Sequence, residues 1–453
     1  MAKARQEPNQ GADVKFHHNE HPLRRMLNDE LHARKFNDFP GSGRFIRYVY
    51  FTQGDDKHLL GDINKLLQKL SLRKMADDEK FIRLEADNFA VRVERHTEFM
   101  SLSLIDVDDK IQKGLSAKSF DETSYPHLPF QLIKTLSHPV FHAMWLEISI
   151  AQKKKPTAQV MDQALQGRSV AGVNISSGGG QLYASFDIDD AGYSRMALMN
   201  EEIADNRMGR VIQRVIEMET YRLMSLLSLP KVNHHSPALD KIETELRALT
   251  GALAVAQRQD DTPEQMQYAD ALLTKLTNLA SDIEHIYSET SYRFSASFAY
   301  QDITDARIAS LKASRLDGFQ SIGGFLAKRM MPAIQSMTAF SRRMDHLSQR
   351  ISHVAQLQRS QTELSLQKQN RDLLTSMNKR TYAQLRLQQT VEGLSLAALT
   401  YYGVGLVGYV AEATSFGLSS TAIKALSVPI VAASVYIVIR RAKRALASAK
   451  DQD

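Results

Sequence analysis

The chain has 453 residues, enough for two or three domains, and its 43% hydrophobic and 24% charged content confines any membrane part to local segments. Its 57 basic and 51 acidic residues leave a formal charge of +6, too mild an excess to call for nucleic acid. It has no cysteine, which excludes disulfides, thiolate nucleophiles and cysteine-ligated zinc.

Residues 1–13 lack the apolar core of a signal peptide and read as a disordered tail. Residues 14–200 read as an α/β cytoplasmic domain. Aromatic and β-branched runs predict strands at 43–51, 81–84, 89–94, 99–105, 144–150, 170–176, 181–188 and 193–199, with a helix at 56–72. The set is expected to be largely antiparallel.

After Glu201 the strand pattern stops, and 201–332 reads as a helical domain. Val211, Val215, Met218, Leu223 and Leu226 recur at helical spacing in a segment ending at Pro230. Residues 237–256 and 262–311 continue the pattern. A further helix is expected over 314–331, with Gly323-Gly324 as its weak point and Pro332 as the next break.

From Ala333 no proline or glycine occurs until Gly393, which predicts a long stalk helix over 333–392 running on into an apolar span. Met344, Leu347, Ile351 and Val354 have a spacing suited to coiled-coil packing. Further on, Gln358, Gln361, Gln367, Gln369 and Asn370 leave few apolar positions. The stalk either packs against other stalks or returns antiparallel onto its own helical domain.

Residues 393–411 are uncharged and just long enough to cross a bilayer. Residues 421–439 form a second candidate, with Lys424 near one end, where it can reach the interface, and Pro429 inside. Lys379, Arg380 and Arg386 precede the first span, and Arg440, Arg441, Lys443 and Arg444 follow the second in the basic tail 440–453. The connection 412–420 has neither Lys nor Arg. This asymmetry puts both termini in the cytoplasm and the short connection outside. The competing reading is a helical hairpin buried in a core. Ala398, Tyr401, Gly405, Gly408 and Glu412 share one face of the first span, which either lines an aqueous path or packs against the second helix. The expected class is thus an α+β N-terminal sheet domain, an all-α region, a long stalk and a two-helix transmembrane hairpin over 393–439.

Several local motifs have plainer explanations. Ser177-Gly-Gly-Gly180 lies between strands, lacks a following Gly-Lys-Ser/Thr and reads as a hairpin turn, not a phosphate loop. Asp187 to Gly192 starts like a calcium loop, but Leu198 stands where the closing glutamate belongs. His96-Thr97-Glu98 echoes a zinc-deaminase motif whose cysteines are absent. His17, His18, His21, Glu30 and His32 offer ligand atoms, although a helix start at Pro22 accounts for the segment more simply. No Ser-His-Asp order or paired-carboxylate signature stands out, so neither catalytic residues nor a cofactor are expected.

Longer segments carry a resemblance. His21-Pro-Leu-Arg-Arg-Met-Leu-Asn-Asp-Glu-Leu-His-Ala-Arg34, Glu94-Arg-His-Thr-Glu-Phe99, Gly209-Arg-Val-Ile-Gln-Arg214 with Glu217-Met-Glu-Thr-Tyr-Arg222, and Gln389-Thr-Val-Glu-Gly-Leu-Ser395 with Thr400-Tyr-Tyr402 resemble the bacterial family of uncharacterised membrane-anchored proteins, domain of unknown function 3422. Lys35 departs from the proline usual in that family. The resemblance makes His21, Arg24, Glu30, His32, Arg34, His96, Glu98, Arg210 and Arg214 signature residues and implies a membrane anchor without an assigned activity. In order of parts the chain also resembles CorA-type divalent-cation channels, although Ala411-Glu-Ala-Thr stands where their Gly-Met-Asn motif would be. That analogy implies a homo-oligomer around an axis. The expected partners are the lipid bilayer, other copies of the chain, and divalent cations or a cytoplasmic protein. Three functions follow as expectations: a channel or sensor, a membrane-tethered scaffold, or an enzyme with a site around His96 and Glu98.

Overall fold

A computed structural model describes residues 21, 23, 24, 27, 28, 39 and 41–450, apart from 55, 109–113, 116, 117, 154, 168, 257–262 and 414–419. The tail expected at 1–13, and His17, His18, Glu30, His32 and Arg34, lie outside the described residues.

The described residues form a nine-stranded sheet of β1 Ser42–Phe51, β2 Phe81–Glu85, β3 Ala90–Arg95, β4 Phe99–Asp108, β5 His142–Ile150, β6 Ala171–Ile175, β7 Gly180–Ile188, β8 Ser194–Asn200 and β9 Ser314–Arg315. The spatial order is β2-β3-β4-β1-β5-β8-β7-β6-β9. Every pairing is antiparallel except β5 with β8, where Met144 opposes Ser194 and Ile150 opposes Asn200 in parallel. The parallel pair makes the sheet mixed.

Period-two alternation gives the sheet two buried faces. On β5, Ala143 and Trp145 enter one core, whereas Met144, Leu146 and Ile148 enter the other. The first core is closed by α1 Lys57–Lys69 through Leu59, Ile63 and Leu67, and by α2 Ala158–Leu165 through Met161 and Leu165. The second is closed by α3 Asp205–Ser225, which contributes Met208, Val211, Ile212, Val215 and Ile216 at helical spacing. Close approach is needed at Gly43, because a Cβ there would run into the Asp106 carbonyl oxygen across the β1–β4 pair.

Each face also buries charge. On the first, Arg44 ion-pairs with Asp106 and, at 3.4 Å, with Glu147. Its guanidinium lies 3.6 Å from the Tyr125 ring centre. Glu147 also accepts from the Trp145 indole at 3.2 Å. Burial pushes the Glu147 carboxyl up to about 7 against the pull of Arg44. One cation serves two carboxylates there. On the second face Glu94 takes Arg47 and Arg92, each at 2.6 Å. Burial alone would raise its pKa, but the two guanidiniums outweigh burial and hold Glu94 well below the usual carboxylate range.

Helices follow: α4 Leu229–Ala256, α5 Pro263–Ser310, α6 Ile322–Ala413 and α7 Ser420–Lys450. Several sequence expectations fail here, most of them at prolines or glycines. Pro230 does not end a helix but sits in the first turn of α4, where a missing N–H costs nothing, and Pro237 lies inside α4. Residues 314 and 315 form an edge strand, and Gly323-Gly324 opens α6 instead of interrupting a helix. Pro332 does not break α6; Met330 and Ile334, on either side of it, are both buried, and that burial offsets the lost hydrogen bond.

The chain divides into two compact units. One comprises Met1–Ala248 and Asn278–Ile351, the other Leu249–Thr277 and Ser352–Asp453. In the first, the Phe294 ring of α5 meets Phe340 of α6 at 5.7 Å, and Thr290 lies 3.9 Å from the Met344 sulfur. Met344, Leu347 and Ile351 are therefore buried against the chain's own helices, which settles the fate of the stalk's start.

Candidate functional site

In the second unit α6 emerges as a single helix. Every residue from 366 to 391 is exposed, a length of roughly 40 Å at about 1.5 Å per residue. Leu366, Leu373, Leu374, Met377, Tyr382, Leu385, Leu387 and Val391 are all exposed there. An isolated helix gains nothing from apolar residues left in water.

These residues contain an order that the glutamines conceal. Leu366, Asn370, Leu373, Met377, Arg380, Gln384, Leu387, Val391, Leu394 and Ala398 follow one another at alternating steps of four and three. The series continues without a break through Tyr401, Gly405, Gly408 and Glu412. This is a heptad seam, with Leu366, Leu373, Arg380, Leu387, Leu394, Tyr401 and Gly408 at its d positions and Asn370, Met377, Gln384, Val391, Ala398, Gly405 and Glu412 at its a positions. Of the charged residues between 366 and 394, only Arg380 lies on the seam; Lys368, Arg371, Asp372, Lys379, Arg386 and Glu392 lie off it. The flanking e and g positions are uncharged.

Two described helical segments are long and apolar enough to cross a membrane, one within α6 and one at Thr421–Arg441. Only 6% of each apolar window is buried, so neither is a core helix of the described chain, as a buried hairpin would require. The two apolar helices approach each other at Gly403 and at Gly408, beside Val431 and Lys424 respectively. At Gly403 a Cβ would meet the Val431 side chain at 2.6 Å.

The five residues expected on one face of the first span therefore have different surroundings. Ala398 and Tyr401 are exposed, Tyr401 to 77%, and Gly405 is half-buried with open space at its Cβ position. Gly408 is buried under the Lys424 side chain, which reaches on to ion-pair with Glu412 at 3.0 Å. Glu412 is thus paired within its own hairpin.

The signature residues are dispersed. The His21 Nδ1 accepts from the Leu23 N–H at 3.2 Å, and Arg24 is exposed beside it. His96 stacks on Phe99 with ring centres 4.0 Å apart. Glu98 is buried and accepts from Arg293 at 2.5 Å and Tyr300 at 2.7 Å, which ties the β3–β4 turn to α5. Arg210 and Arg214 lie on α3, exposed and half-buried. Ser176 to Gly178 form the expected turn between β6 and β7. Asp189 orders the turn before β8 by accepting from the Ala191 and Tyr193 N–H groups and pairing with Arg195. Sequence reading missed one further cluster, His58, Asp62 and His138. The i, i+4 spacing of the first two was visible, but the third is brought in only by the fold.

The sequence model of a family described as "Protein of unknown function (DUF3422)" matches residues 19–446. Comparison with curated proteins gives no match.

Proposed function

We propose that this chain, which belongs to the DUF3422 family, is a non-enzymatic, homo-oligomeric, membrane-tethered scaffold of a bacterial inner membrane. Its hairpin anchors it, its stalks associate in parallel, and the α+β body is offered to a cytoplasmic protein. The observation that carries this reading is the heptad seam, exposed along the stalk and continued in sequence into the first span as far as Gly405 before Lys424 covers it. A second copy is the occupant the seam fits. Copies inserted in one bilayer point the same way and stand at the same height, which aligns identical residues. A polar a position such as Asn370 then meets its own counterpart, a device that fixes register. Uncharged flanking positions confine like-charge repulsion along 366–394 to Arg380, which meets its own counterpart.

Basic residues on both outer flanks and none between 412 and 420 support a cytoplasmic location for both termini. The channel reading needs a free carboxylate at the outer mouth, and the Glu412–Lys424 pair weighs against one. The test is the mass of the full chain in detergent by light scattering. A defined oligomer is expected, reduced to monomer when Leu373 and Leu387 are both replaced by Asn. A wild-type monomer at every concentration would overturn the proposal. Cation flux through reconstituted wild-type protein would restore the channel.

A further inference from the structure

The sheet-bearing unit holds a cluster with no part in anchoring or self-association. On α1, His58 and Asp62 are one turn apart and therefore share a face. His138 follows the helical turn Phe130–Ile133, and its ring centre lies 5.5 Å from that of His58. One ligand atom from each of the three residues can be chosen so that all lie within 4.8 Å of one another. The His58 Nδ1 is 3.8 Å from the Asp62 Oδ2.

From this geometry we infer that His58, Asp62 and His138 form a binding site for a divalent transition-metal ion of the zinc type, with a fourth position open to solvent. Two imidazoles and one carboxylate suit such an ion, whereas magnesium and calcium prefer all-oxygen shells. Ligands around zinc stand at about 2.0–2.2 Å from the ion, so the three groups need to close by roughly 1 Å. The His58 side chain is 78% exposed and can swing to close that gap.

The surroundings fit the assignment. The Ser137 hydroxyl donates to the Asp62 Oδ2 at 2.6 Å and fixes the orientation of the carboxylate, as second-layer donors do at metal centres. His58, Asp62 and Ser137 line a cleft of about 410 Å³ together with Lys65, Lys69, Leu132 and Thr135, which leaves room for water or a small anion as the fourth ligand. Lys65 sits 3.0 Å from the Asp62 Oδ1 and competes for that oxygen. The Lys65 side chain is 74% exposed, so its ion pair is weak and readily displaced by a doubly charged ion.

Cobalt(II) is the probe, added to the untagged, metal-stripped full chain in detergent. A visible d–d band saturating at one equivalent per chain and bleached by zinc is expected. His138→Ala and Asp62→Asn should each abolish the band, and Ser137→Ala should weaken binding roughly tenfold. His285→Ala, a change at an exposed histidine elsewhere, should leave it intact. Emission from Trp145, the single tryptophan, reports that each variant remains folded. No stoichiometric band, or a band that survives the His58→Ala/His138→Ala pair, overturns the inference. Neither result bears on oligomer mass, so the site and the scaffold stand or fall separately.

Discussion

Glu147 offers a sharp test of how the sheet domain handles buried charge. The folded chain retains its proton up to about pH 7, whereas an unperturbed carboxyl releases it near 4.5. Stability conferred by the neutral acid is therefore fully present below about pH 4.5 and lost as pH rises through about 7. The difference of about 2.5 pH units is worth about 3 kcal/mol. Glu147→Gln preserves the shape and removes the titration. The stability of wild type relative to this variant should thus fall by about 3 kcal/mol between about pH 4.5 and pH 8, a difference in which titrating groups distant from Glu147 cancel. Trp145 supplies the signal, because its indole donates to Glu147 and it is the only tryptophan in the chain. Denaturant titration of the full chain in mild detergent, followed by Trp145 emission, gives both free energies. Native-state emission should also titrate with a midpoint near 7 in wild type and not in the variant. Parallel stability profiles for the two proteins would refute the reasoning, because Glu147 would then be ionised in the fold at ordinary cost.

Glu98→Gln leaves the largely enclosed Arg293 guanidinium without its anionic partner, so it should destabilise the sheet-bearing unit by about 3 kcal/mol in the same unfolding assay. The two glycines of the first span should separate by role. Gly403→Leu crowds Val431 and should lower the melting temperature of the chain while leaving its oligomeric mass unchanged. Gly405→Leu, where a Cβ meets only open space within the chain, should leave melting almost unchanged and disturb the oligomer instead.

Much of this architecture was legible because strands announce themselves locally. The run from Phe45 to Phe51 is aromatic and β-branched, and β1 falls within a residue of the expected bounds. Prolines misled because their effect depends on position and burial. Pro230 is harmless in a first turn, and Pro332 is overruled by its buried neighbours. Arg44, Arg47, Arg92, Glu94 and Glu147 were opaque for a different reason. Charge in a strand ordinarily marks a solvent face, and only pairing across β1, β3 and β5 makes its burial tolerable. The stalk was read for its glutamines, so the seam was seen only from Ala398 onward, where small residues replace leucine. The site of His58, Asp62 and His138 needed the fold, since a turn far along the chain supplies one of its ligands.

Parallel self-association through the stalk can be read residue by residue, because the natural chain has no cysteine to interfere. Single cysteines placed in turn from 366 to 394 and oxidised in native membranes should form same-residue disulfides. The yield should peak at positions 366, 373, 387 and 394 and fall to a minimum at 368, 375, 382 and 389 on the opposite face of α6. A yield that ignores position, or no disulfide anywhere along the stalk, would contradict a parallel stalk interface.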